Sequence, residues 1–129
     1  KVLEVIVMNI EKMVEIGLLF EQYKELLTEK QREMVSLYYE EDYSLGEISE
    51  NLGVSRQGVY DTLKRSEKIL REYENKLHLV AKLKEQEKFL KSIREKVVDI
   101  KEDLLHNRDC ANLIPKLENI EEICRELLK

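Results

Sequence analysis

Between Ser55 and Lys68 the chain gathers Ser55, Arg56, Gln57, Tyr60, Lys64, Arg65 and Lys68, residue types that together suit nucleic-acid recognition. Arg and Gln can meet guanine and adenine edges bidentately. Lys and Arg placed further along neutralise phosphates, which supplies affinity but no sequence information. Ser55 is a candidate helix cap, and a helix N-terminus is itself a phosphate site. Tyr60, the tyrosine expected to stay accessible, could stack on an unpaired base. Asp61 sits among them and opposes a general affinity for DNA.

To act together these side chains need one helix face, and the flanking pattern supplies a frame for it. Ile48, Leu52, Val54, Val59 and Leu63 are apolar around Gly53, and small Ser49 falls where two helices would cross. A short helix, a Gly-containing turn and a second helix at a steep angle make a helix-turn-helix. Ser44 with Glu47 predicts a capping box for a helix over Leu45–Leu52. Gly53 suits the left-handed residue that ends it, and Ser55 starts the next. Upstream, Leu18, Leu19, Tyr23, Leu26 and Leu27 predict an amphipathic helix from about Ile10 to Leu27. Thr28 and Gln31 predict a capping box for a helix from Glu29 to about Glu40 that buries Met34, Val35 and Tyr38.

Downstream, Leu63, Leu70 and Leu77 recur every seven residues, with Tyr73 and Val80 between them. Leu83, Leu90, Val97 and Leu104 form a second series, with Ile93 and Ile100 interleaved. The two are one residue out of phase around Val80 to Leu83, which predicts a bend or break there. The second series fits a partner helix in a bundle or coiled coil. Residues His106 to Ala111 are the expected loop. Asn112 is the expected cap of a last helix with the stripe Leu113, Leu117, Ile120, Cys124, Leu127. The expected class is all-α, with a helix-turn-helix core over residues 1–72 and a C-terminal helical extension over 73–129.

Totals agree with long solvated helices. Of 129 residues, 43% are hydrophobic and 38% charged, with 1 Pro and 4 Gly. The net charge of −5 does not favour a nucleic-acid binder as a whole, so its distribution matters. Residues 28–54 hold 2 basic and 7 acidic side chains, residues 55–71 hold 5 and 2, and residues 76–101 hold 8 and 4. The middle of an acidic chain is basic. Lys84, Lys88 and Lys91 could line one stripe for phosphates or an acidic partner. Cys110 and Cys124 make no disulfide framework, which fits a reducing, cytoplasmic setting. Val5 to Met8 is too short an apolar run to span a bilayer, and Glu4 breaks its likeness to a signal peptide. Met8 is a candidate natural start.

Enzymatic signatures are missing: no phosphate-binding loop, nucleophile elbow or H-E-x-x-H. Glu40-Glu41 and Glu121-Glu122 read as solvated faces. His106, Cys110 and Cys124 lack the tight spacing of a structural zinc site, and His78 has no companions. No metal or cofactor is expected.

From Leu27 to Leu70, LTEKQREMVSLYYEEDYSLGEISENLGVSRQGVYDTLKRSEKIL resembles region four of bacterial sigma factors, in L-T-x-x-Q, Y-S-L-x-E-I and L-G-V-S-R. It is more closely similar to the YlxM-type helix-turn-helix family of Gram-positive bacteria. The shared signature lies in Leu37-Tyr38-Tyr39, Asp42 to Ile48, Gly53 to Asp61, Lys64 to Leu70 and Tyr73 to His78. Ser49 and Gly58 replace the Ala common there. The resemblance covers about residues 15–80, after which the sequence is expected to depart from the family. It implies an all-helical homodimer without enzymatic activity. That homodimer would be associated with the signal recognition particle, through the particle's RNA or its GTPase. A dimeric regulator on duplex DNA is the alternative, and a dimeric scaffold that touches no nucleic acid is a third. The chain lacks a sigma factor's promoter-melting regions.

Overall fold

The structure is a computed structural model that describes residues 1–106 and 110–129. Among the described residues it is all-α, with no strand. Six α-helices follow in order: α1 (Val2–Tyr23), α2 (Glu29–Val35), α3 (Leu45–Leu52), α4 (Arg56–Leu77), α5 (Leu79–Leu105) and α6 (Leu113–Leu127). The chain divides into two compact units, Lys1–Val80 and Ala81–Lys129.

In the first unit, α1, α2 and α3 pack on α4. Ile16, Leu19, Phe20 and Tyr23 of α1 meet Met34 and Val35 of α2, Ile48 of α3, and Val59, Leu63 and Leu70 of α4 in one buried cluster. Burying each such side chain contributes about 1.5–3 kcal/mol, so this cluster holds the helix-turn-helix in place.

Helix ends follow local chemistry. α1 starts eight residues before the expected Ile10, because Val2 to Met8 holds no Gly or Pro and simply continues the helix. Its first three turns are exposed. It ends at Tyr23 rather than Leu27, tightening into a 3-10 turn over Lys24–Leu26 before Leu27 turns extended. At Thr28 the expected capping box forms: the hydroxyl accepts from Gln31 N–H at 3.2 Å and Gln31 accepts from Thr28 N–H at 3.1 Å. The second helix does reach Glu40, but its last turn, Ser36–Glu40, widens to a π turn. Asp42 follows in the left-handed region at φ 59°.

The break after α4 falls at His78, not at Val80 to Leu83. His78 adopts φ 56°, ψ 30° and donates its amide to Glu74 O. It is not a mid-helix residue but the left-handed residue that ends α4 and separates it from α5. The Glu74 carboxylate and the Tyr23 hydroxyl secure that corner. Tyr23 donates to Glu74 Oε1 at 2.6 Å and accepts from Leu79 N–H at 3.2 Å, while Val80 N–H donates to Glu74 Oε1 at 3.0 Å. Two amides of the first turn of α5, which its own helix cannot satisfy, are met this way. Burial and then the Glu74 contact push the Tyr23 phenol above its ordinary range.

In the second unit the half-buried face of α5 carries Phe89, Ser92, Ile93, Lys96, Ile100 and Asp103. Lys116 of α6 pairs with Asp103 at 2.9 Å. The expected stripe of α6 is rotated. Leu117 and Cys124 are exposed, and the half-buried positions are Leu113, Lys116, Ile120, Ile123 and Leu127. Asn112 precedes α6 with near-helical angles and makes no side-chain cap. The expected loop between α5 and α6 falls in part on residues 107–109, outside the described residues, and Cys110–Asn112 form a 3-10 turn.

Candidate nucleic-acid interface

The turn between α3 and α4 is closed by backbone and side-chain bonds together. Gly53, at φ 66° and ψ 32°, donates its amide to Ser49 O, and Val54 N–H donates to the same carbonyl at 3.2 Å. The Ser49 hydroxyl donates to Val54 O. Only a residue tolerant of the left-handed region fits position 53 without strain. Ser44 caps α3 by accepting from Glu47 N–H at 3.1 Å. The reciprocal half of the expected box is replaced, since the Ser44 hydroxyl donates to the Glu47 carboxylate. Ser55 caps α4 as expected, accepting from Gly58 N–H at 3.0 Å. Ile48, Val59 and Leu63 are buried where α3 and α4 cross.

The sequence-selected side chains share the exposed side of α4, but few stand alone. Arg56 folds back over α3: a Cβ added to Gly46 would lie 3.3 Å from Arg56 Nη2. Gln57 donates its amide to Asp61 at 2.9 Å, so Asp61 orients Gln57 as well as adding charge. Tyr60 is 46% exposed, with the Lys64 ammonium 5.5 Å from its ring centroid. This is a cation–π distance. Lys68 reaches Glu72 only at 4.0 Å, and Arg65 is exposed.

Lys64 is tied to a buried carboxylate absent from the sequence reading. Glu67 is 4% exposed. It accepts from the Tyr39 hydroxyl and lies 3.2 Å from Lys12 and 3.5 Å from Lys64. Burial pushes the Glu67 carboxyl up, but Tyr39 and the two ammonium groups outweigh it and hold the group below the usual carboxylate range. Burial, then Glu67, push the Tyr39 phenol up. The contact with Lys64, followed by burial, holds Lys12 below the ordinary lysine range, while the contact with Lys12 holds Lys64 above it. One buried charge therefore joins α1, the π turn and the exposed face of α4. Lys12 and Tyr39 lie 55 and 28 residues from Glu67, so no local spacing signals the cluster.

Among the described residues no group of three His, Cys, Asp or Glu side chains is placed to hold a metal ion. Nor, among them, is any helix long and apolar enough to cross a membrane.

Comparison with known proteins gives this geometry a family. Residues 10–109 match the family model of UPF0122, described as "Putative helix-turn-helix protein, YlxM / p13 like". A UPF0122 protein of Limosilactobacillus reuteri is 46% identical over 115 residues, 89% of this chain and 99% of the relative. One from Bacillus pumilus is 44% identical over 114 residues, 88% of this chain and 100% of its own. One from Streptococcus gordonii is 52% identical over 89 residues, 69% of this chain and 81% of its own. The departure from the family expected after about residue 80 is not found, because the family match runs through α5. The chain belongs to the YlxM/p13-like helix-turn-helix family.

Proposed function

We propose that the chain is a non-enzymatic accessory protein of the signal recognition particle pathway. It contacts the particle's RNA through Ser55, Arg56, Gln57, Tyr60, Lys64, Arg65 and Lys68, and it works in the cytoplasm as a homodimer. The observation that carries the reading is the exposed Tyr60 ring with Lys64 beside it, on a helix whose capped N-terminus opens the same face. An aromatic ring next to a cation suits an unpaired base joined to a phosphate, which RNA loops offer. The partial neutralisation of Lys64 by Glu67 and the Asp61 carboxylate beside Gln57 lower the general grip on duplex phosphates. The particle's GTPase is the next partner if RNA is not bound.

A dimeric DNA-binding transcription regulator is the second reading. Arg56 and Gln57 in the first turn of α4 favour it, because that turn enters the major groove in helix-turn-helix complexes. Such a dimer would space its two α4 helices about 34 Å apart.

The two readings separate in a titration against labelled particle RNA and random duplex DNA across a salt series, with Tyr60→Ala and Arg65→Ala alongside. Retention of RNA at salt that releases the duplex, weakened most in Tyr60→Ala, supports the first. Equal, steeply salt-dependent binding to both supports the second. No binding to either removes the nucleic-acid role.

A further inference from the structure

Within the second unit, among the described residues, the second heptad series stays exposed. Leu83, Leu90, Val97 and Leu104 are 46%, 59%, 50% and 57% exposed, while the half-buried residues of α5 lie round from them. Four large apolar side chains at a strict seven-residue spacing form a straight seam, roughly 33 Å long at 1.5 Å per residue, of the kind that pairs with another helix. What covers it is indicated by the charges beside it. On one edge stand Glu87, Arg94 and Lys101, also seven apart, changing from acidic to basic along the helix. Such an edge is complementary to itself run backwards.

We propose that this seam is the homodimer interface, closed by α5 of a second copy lying antiparallel. A two-fold axis between Ile93 and Arg94 sets Leu83 opposite Leu104 and Leu90 opposite Val97. Edge residues of the same heptad position face one another in antiparallel pairs, so Glu87 meets Lys101 twice. Arg94 meets its own copy once. In a parallel pair Lys96 meets Lys101 at both edges, which cancels what Lys82 gains beside Glu87. Antiparallel pairing is therefore the arrangement that these charges select. The inference deepens the homodimer part of the reading above and does not rest on nucleic-acid binding.

Sedimentation equilibrium of the full chain, without nucleic acid, tests it. Dimers that Leu90→Glu dissociates by tenfold or more, with helicity retained by circular dichroism, are expected. Glu87→Lys or Lys101→Glu alone should each weaken the dimer about fivefold, from two lost exposed pairs. The double variant should return to within about twofold. A monomer at all concentrations overturns the proposal, as does a dimer indifferent to Leu90→Glu. A double charge variant weaker than both single ones overturns the antiparallel register. These outcomes leave the nucleic-acid titration untouched, so the two readings fail separately.

Discussion

Replacing Glu67 by Gln tests the buried charge that joins α1, the π turn and α4. The carboxylate is 4% exposed, accepts from Tyr39 and faces Lys12 at 3.2 Å and Lys64 at 3.5 Å. Gln keeps an oxygen for the Tyr39 hydroxyl but removes the charge that both ammonium groups face. Breaking a fully buried ion pair costs about 3–5 kcal/mol. Here the lysine side chains are 37% and 45% exposed and can turn back to water. The loss should then be nearer about 2 kcal/mol, that of a charge-assisted hydrogen bond. Urea unfolding at pH 7 measures it. The sign of the pH dependence follows from a folded-state pKa held below the ordinary 4.5. Glu67 contributes its stability above pH 4.5, and the contribution fades as pH falls below that value through the folded-state pKa. The gap between native protein and Glu67→Gln should therefore be full at pH 7 and close towards pH 3. A gap under about 0.5 kcal/mol at pH 7, or one that stays constant into acid, refutes this account of the cluster.

Three further substitutions probe the frame. Tyr23→Phe removes the hydroxyl that bridges Glu74 and Leu79 at the α4–α5 corner, and should lower stability by about 1.5–3 kcal/mol in thermal or urea unfolding. Gly53→Ala meets no atom within 4 Å, so its cost is all backbone at φ 66°. A loss of about 1–2 kcal/mol is expected, read by urea unfolding. Gly46→Ala meets only the flexible end of Arg56. It should fold at least as stably as the parent while shifting the Arg56 side-chain signals in NMR spectra.

The helix-turn-helix was legible because its signals are local. Ser44 and Ser55 cap the helices they precede, Gly53 is left-handed, and α3 keeps its expected bounds. Departures arose where non-local contacts decide. His78 is no glycine, yet it takes the left-handed corner because Tyr23, 55 residues away, meets the Leu79 amide and, with Val80, shares the Glu74 carboxylate. Glu67 carries no local signal in the sequence, since Tyr39 and Lys12 reach it only through the fold. Cys124 was placed on the apolar stripe of α6 by spacing alone, whereas Lys116, held by Asp103, and Ile123 lie on the half-buried side. At the interface, residue types were readable but aim was not. Arg56 lies over Gly46 and Gln57 is turned towards Asp61, neither of which composition foretells.

The proposed function rests on contact between the exposed side of α4 and RNA. Amide chemical-shift mapping of the full chain, on addition of signal recognition particle RNA, tests it most directly. The largest shifts are expected to cluster between Ser55 and Lys68, and Tyr60→Ala should remove them. Shifts confined to other helices, or none at RNA concentrations well above the protein's, would contradict it.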